Sequence, residues 1–188
     1  RPKVLVFNGC YHGTVDDTFV SLENGVTINS PGLLGQVNDL TTTAVACEFN
    51  DLGGVEAALA KGDVAAILTE PVMTNSCMVL PDAGFHDGLR QLSLRYGALL
   101  IMDETHTISS GLGGYTRVHS LRPDIFVVGK CVAGGMPTAV WGLSPATADR
   151  YNEADAKRAP GRTGMGTTLS ANPMQFACLV AKLSEVMT

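Results

Sequence analysis

Two short apolar runs, each halting at a charged residue, constrain this chain most. Leu99-Leu100-Ile101-Met102 stops at Asp103-Glu104, and Ile125-Phe126-Val127-Val128 passes through Gly129 into Lys130. Both are too short for a typical helix and too continuously apolar for a strand with one wet face. Runs of this kind are the buried strands of a parallel sheet, whose carboxyl ends open onto a ligand crevice. The chain is therefore expected to place a carboxylate and an amine on one rim.

Further segments extend the pattern. Residues 4–8 and 64–69 read as buried strands, and residues 41–48 are β-branched and alternating, which predicts a strand there too. Asn50 or Asp51 caps a helix running to about Lys61, with Gly62 as its stop. Pro81-Asp82 opens a second helix, with Phe85, Leu89, Leu92 and Tyr96 at helical spacing and Gly97 at its end. Residues 139–143 are a further strand and 145–156 a third helix. A last helix starts at Asn172-Pro173. Residues 24–39 and 109–115 are rich in glycine and polar residues and read as irregular. Strand–helix–strand order at these spacings gives an α/β fold, a mostly parallel sheet with helices on both faces. It forms one domain over residues 1–188, with no repeat and no internal boundary.

Composition narrows the function. A formal charge of −5 with no basic run argues against a nucleic-acid partner. No apolar stretch is long enough to span a bilayer, and the first residues do not resemble a signal peptide. Five scattered cysteines (Cys10, Cys47, Cys77, Cys131, Cys178) without a C-x-x-C pair read as free buried thiols in a reducing cytoplasm.

Asp103 alone reads equally well as a cap for the following turn, and Lys130 alone as a solvated loop lysine. Together, with a loop and one strand between them, they can meet on one sheet rim. Gly129 and Gly134-Gly135 flank the lysine and leave room for a planar group. An amine that forms a Schiff base and an acid that keeps a pyridine nitrogen protonated are what pyridoxal 5'-phosphate (PLP) chemistry needs. Competing motifs fail. Asp124 stands where a phosphate-cradling loop needs its first glycine, and Cys131 replaces its Ser or Thr. Gly111-Leu112-Gly113-Gly114-Tyr115-Thr116 lacks the third glycine of a dinucleotide fingerprint. Asp103, Glu104 and His106 have no accompanying H-E-x-x-H pattern, so no metal site is assigned. No G-x-S-x-G elbow is present.

Five stretches in order resemble the class III PLP-dependent aminotransferases, the fold-type I family that includes ω-aminotransferases and glutamate-1-semialdehyde aminomutase. They are Asn8-Gly9-Cys10-Tyr11-His12-Gly13, Ala66-Ile67-Leu68-Thr69-Glu70-Pro71-Val72, Leu99 to Thr105, Val128-Gly129-Lys130 with Gly134-Gly135-Met136-Pro137, and Gly166-Thr167-Thr168-Leu169-Ser170-Ala171-Asn172-Pro173. The first and last look closest to the aminomutase branch.

The resemblance implies that Lys130 is the Schiff-base lysine and proton shuttle, and that Asp103 pairs with the pyridinium nitrogen. It implies Tyr11 stacked on the ring with His12 beside it, and Glu70 near the cofactor and the substrate entrance, although Glu70 reads equally as a structural acid. Thr168, with Thr167, would bind the cofactor phosphate of a neighbouring subunit in a homodimer; helix capping is their alternative. Where the family usually carries Val and then Gln or Met, this chain has Thr105 and His106. Thr105 still offers a methyl group to the ring, and His106 brings a titratable group toward the cofactor or the substrate. The family's upstream phosphate-binding turn and its smaller C-terminal domain have no counterpart in these residues, so the chain is expected to be the large cofactor-binding domain of a longer protein. The expected activity is transfer of an amino group from a small-molecule amino donor to an oxo acceptor. An aminomutase shares every residue named, and a non-catalytic module that keeps the fold is the third alternative.

Overall fold

The computed structural model describes residues 1–188 except 160, 162–165, 167, 169 and 188. Its framework is a six-stranded sheet built from β1 (Lys3–Phe7), β4 (Ala44–Cys47), β5 (Val64–Thr69), β6 (Leu99–Asp103), β7 (Ile125–Val128) and β8 (Val140–Leu143), in the order β4-β1-β5-β6-β7-β8. The first five run parallel, and β8 pairs antiparallel with β7. A separate antiparallel hairpin joins β2 (Val20–Glu23) to β3 (Val26–Asn29).

The central apolar runs fold as strands because they are covered by packed elements. On one face, α1 (Leu52–Leu59) and α2 (Phe85–Tyr96) pack Val55, Leu59, Phe85, Leu89 and Leu92 against Leu5, Phe7, Ile67 and Leu100. Phe7, Phe49 and Phe85 meet edge to face, with centroids 4.6–5.7 Å apart, a geometry favoured by the ring quadrupoles. On the other face, over β1 and β4, the cover is the β2–β3 hairpin and a 3-10 turn. Val20 and Leu40 there join Val6, Ala44 and Ala46 in a second apolar cluster.

Local signals explain the element ends. The Asp51 carboxylate accepts from Gly54 N–H (2.9 Å) and so caps α1. Gly97 at φ +63° closes α2. Ser144 and Asn172 cap α4 (Pro145–Asp155) and α5 (Pro173–Glu185), each followed by proline at the first helical position. The third helix, α3 (Gly114–Val118), is a single short turn.

Four expectations need correction. Residues 24–39 are not irregular throughout: Asn24 (φ +50°) and Gly25 (φ +77°) form a tight turn between β2 and β3. Both positive angles suit a two-residue hairpin whose twist matches its strands. Residues 41–42 belong to a 3-10 turn (Leu40–Thr42) capped by Asp39, and Thr43 closes it, so strand β4 starts only at Ala44. The second helix starts at Phe85 rather than at Pro81-Asp82, because Gly84 preceding it is left-handed. Residues 114–115, the end of the stretch read as irregular, already belong to the helix Gly114–Val118. The thiols also differ in exposure. Cys47 is buried, and burial pushes its pKa up to about 11, whereas Cys77 and Cys131 are exposed. Among the described residues no helix is long and apolar enough to cross a membrane.

Candidate active site

Parallel pairing of β1, β5, β6 and β7 delivers four loops to one end of the sheet. Their residues line an open cavity of about 850 Å³. His12 and Tyr11 follow β1, Glu70 follows β5, Asp103, Thr105 and His106 come from the end of β6 and its loop, and Lys130 follows β7. The register sets their depth: Asp103 lies opposite Val127, three positions before Lys130. The two residues expected to converge therefore share one cavity.

Asp103 is fixed from two sides. His12 Nδ1 lies 2.8 Å from Oδ2, and the Thr105 amide donates to Oδ1 at 3.0 Å. Burial alone favours the neutral acid, but the hydrogen bonds from His12 and Thr105 outweigh it and hold the carboxyl below its ordinary 3.8. Burial equally opposes charge on His12, whose side chain is 3% exposed. Its hydrogen bond to the Asp103 carboxylate, with contributions from Cys10, more than offsets that and raises its pKa from 6.5 to about 9. The outcome is an imidazolium–carboxylate pair in which Nδ1–H donates. Its Nε2 is buried without a hydrogen-bond partner among the described residues.

Lys130 is exposed and opens a 3-10 turn (Lys130–Ala133) with φ +50°, a left-handed conformation rare for a residue with a side chain. Such strain persists only where the surroundings impose it, and it clusters at functional sites. Gly134 (φ +63°) and Gly135 (φ +105°) follow it, so those glycines are required by backbone conformation. At Gly129 an added Cβ would meet Thr105 Oγ1 at 3.7 Å and Ala139 Cβ at 3.6 Å, ordinary contacts, so that position does not depend on extra room.

The rest of the wall is a cluster that sequence did not reveal. Glu70 is buried, and its Oε2 accepts from the Thr74 amide (3.3 Å) and the Thr74 hydroxyl. The same hydroxyl oxygen bonds His106 Nδ1, which lies 3.9 Å from Glu70 Oε2. Thr74 had no signal in the chain, because nothing in residues 70–106 shows that two successive β–α loops meet. Thr138, on the cavity wall, has a buried hydroxyl with no partner among the described residues.

Glu104 has a different part to play. It is fully buried and accepts from the Tyr115 amide (2.9 Å), the Thr116 amide and the Thr107 hydroxyl (3.0 Å), tying the post-β6 loop to α3. Tyr11 is half exposed at the cavity mouth. Thr168 is exposed, and Thr167 lies outside the described residues.

Aminotransferase class III is the family whose model matches, over residues 1–188. The chain is 38% identical over 193 residues to a glutamate-1-semialdehyde 2,1-aminomutase of Roseiflexus castenholzii, covering 99% of this chain and 42% of that protein. To the aminomutase of Acidobacterium capsulatum it is 36% identical over 190 residues, covering 99% and 43%. Among solved structures, a glutamate-1-semialdehyde aminomutase from Pseudomonas aeruginosa PAO1 superposes with a TM-score of 0.94 at 50% identity, over all of this chain and 43% of that one. A lysine-to-alanine variant of the latter was solved in complex with PMP. An omega-transaminase from Sphaerobacter thermophilus superposes with a TM-score of 0.83 at 30% identity, over 98% of this chain and 44% of its own. The chain thus spans less than half the length of these relatives. A family match from the first residue to the last, on a parallel sheet whose rim gathers Lys130, Asp103 and His12, leads to one conclusion: this chain belongs to the class III aminotransferases.

Proposed function

We propose that these residues form the cofactor-binding part of a PLP-dependent enzyme that moves an amino group from an amine or amino acid to an oxo-acid or aldehyde. The observation that carries the reading is the shared cavity of Lys130, held in a strained left-handed turn, and Asp103, held ionised by His12. The donor set suits PLP. A carboxylate kept below its ordinary range can hold a pyridine nitrogen protonated, a strained lysine turn aims an amine, and the cavity is wide enough for a planar ring. When bound, PLP supplies an electron sink for the carbanion left by deprotonation at the substrate carbon.

In this reading Lys130 Nζ would hold the cofactor covalently until the substrate amine displaces it, and the freed amine would then carry a proton between the substrate carbon and the cofactor. Asp103 anchors the ring nitrogen through a charge-assisted bond, and His12 keeps the carboxylate ionised and correctly turned. Tyr11 and Thr105 flank the ring, with Glu70 and His106 on the substrate side. Thr168, with Thr167, contributes to the phosphate site of a second subunit in a homodimer. Exposed Met174, Phe176 and Val180 on α5 are consistent with such an interface, and five free cysteines favour a cytoplasmic setting.

The test is direct. Full-length protein should be yellow, should bleach on addition of an amino donor, and should regain colour with an oxo-acid. Lys130→Ala should abolish the covalent linkage. A colourless protein that takes up no PLP refutes the proposal.

Aminomutase activity is the second reading, favoured by the names of the relatives and by the 50% identity to the Pseudomonas protein. A mutase turns over a single amino-aldehyde with no added oxo-acid, whereas a transaminase stalls until an acceptor is supplied.

A further inference from the structure

We propose that Glu70, Thr74 and His106 form a relay that fixes His106 Nε2 as a hydrogen-bond acceptor on the cavity wall. The wall then selects amine substrates that carry a second donor, such as a hydroxyl. The inference deepens the amine-transfer reading and rests on it.

The argument is one of proton counting. A carboxylate only accepts, and Glu70 Oε2 takes both the Thr74 amide and the Thr74 hydroxyl. Thr74 has a single hydroxyl proton, and it is spent on Glu70. Its oxygen can therefore only accept in the bond to His106, so the proton in that bond belongs to His106 Nδ1. At alkaline pH, where an imidazole carries one N–H, committing it at Nδ1 leaves a lone pair at Nε2. His106 Nε2 makes no hydrogen bond among the described residues.

A second observation points the same way. Glu70, with its side chain only 5% exposed, keeps Oε1 buried without a donor among the described residues. Glu70 and His106 line the same cavity. Among the described residues this wall therefore presents two acceptors short of donors. Of the neighbouring charges, Asp103 is itself an acceptor and takes the His12 Nδ1 proton, and the remaining His12 N–H, at Nε2, makes no hydrogen bond to this wall. In the proposed reaction the Lys130 amine serves the cofactor and the proton at the substrate carbon. A buried acceptor left unpaired is costly, so a substrate that brings a hydroxyl or ammonium hydrogen gains over an analogue ending in methyl.

Two measurements on the full-length protein test this. Neutron diffraction from deuterated crystals grown at alkaline pH should place deuterium on His106 Nδ1 and on Thr74 Oγ1 directed at Glu70. This arm needs no turnover, so it remains decisive even if the protein takes up no PLP and the amine-transfer reading falls. Ethanolamine and propylamine, which differ by hydroxyl against methyl, are then compared by kcat/KM, or by inhibition constant where an amine does not react. Wild type should favour ethanolamine about three- to tenfold. In Thr74→Val that preference should fall toward one, and a ratio taken within one preparation is insensitive to the fraction of protein loaded or folded. Deuterium on His106 Nε2 overturns the relay. A wild-type ratio of one, or a preference unchanged in Thr74→Val, overturns the selection.

Discussion

Replacing His12 with glutamine should remove a contribution to stability that depends on pH in a defined window. The rise in the His12 pKa from 6.5 to about 9 corresponds to about 3 kcal/mol of preference for the charged ring in the folded protein, at about 1.36 kcal/mol for each pH unit. A group whose pKa is raised by folding contributes fully below its unfolded value and loses that contribution as pH climbs through its folded value. Wild type should therefore exceed His12→Gln in unfolding free energy by a near-constant amount at pH below 6.5, and the excess should shrink by about 3 kcal/mol as pH rises past about 9. The carboxylate gives the opposite limb. The Asp103 pKa is lowered on folding, so its share is present above the unfolded value and fades as pH falls through the folded one. Urea unfolding of both full-length proteins across a pH series reads the difference directly. An excess that is flat with pH, or that grows on the alkaline side, would refute the ion-pair assignment. Asp103→Asn gives an independent check: without the carboxylate, burial dominates and the His12 pKa should fall.

The strain at Lys130 predicts that Lys130→Gly unfolds at higher urea than Lys130→Ala, by about 1 kcal/mol, while both lose the covalent cofactor linkage. Gly114→Ala should cost about 2 kcal/mol or more by the same assay, since its Cβ would lie 2.7 Å from Glu104 Oε2 on a backbone at φ +74°. Arg90→Leu should cost about 2 kcal/mol, because it strands the Asp124 carboxylate that Arg90 meets at 2.7 Å and that also accepts from the Leu100 amide. If Arg90→Leu leaves the urea midpoint unchanged, that ion pair has no structural weight.

Most of the sheet was legible because its central strands are largely buried and so carry unbroken apolar runs. β5 and β7 begin and end where those runs do. The β2–β3 hairpin was missed although Asn24-Gly25 is a strong turn signal, because the surrounding glycines, asparagines and proline masked the short alternation on either side. At the site, strand ends announced Asp103 and Lys130. The His12–Asp103 pair was written in the sequence as two separate motifs, 91 positions apart, and only the sheet order unites them. Thr74 and the capping duty of Glu104 were invisible for the same reason: each depends on which loops meet, a property of topology and not of local pattern.

One consequence follows from the strand order. β5 lies between β1 and β6, so the His12–Asp103 bond bridges strands that are not neighbours, arching across the carboxyl end of the one between them. Beneath that arch Glu70 binds Thr74, which in turn binds His106. Three chain segments are thus tied by side chains where the backbone ladder has already ended. Amide exchange along this rim should slow and quicken as a single cooperative block, and cutting either tie should release all three segments together.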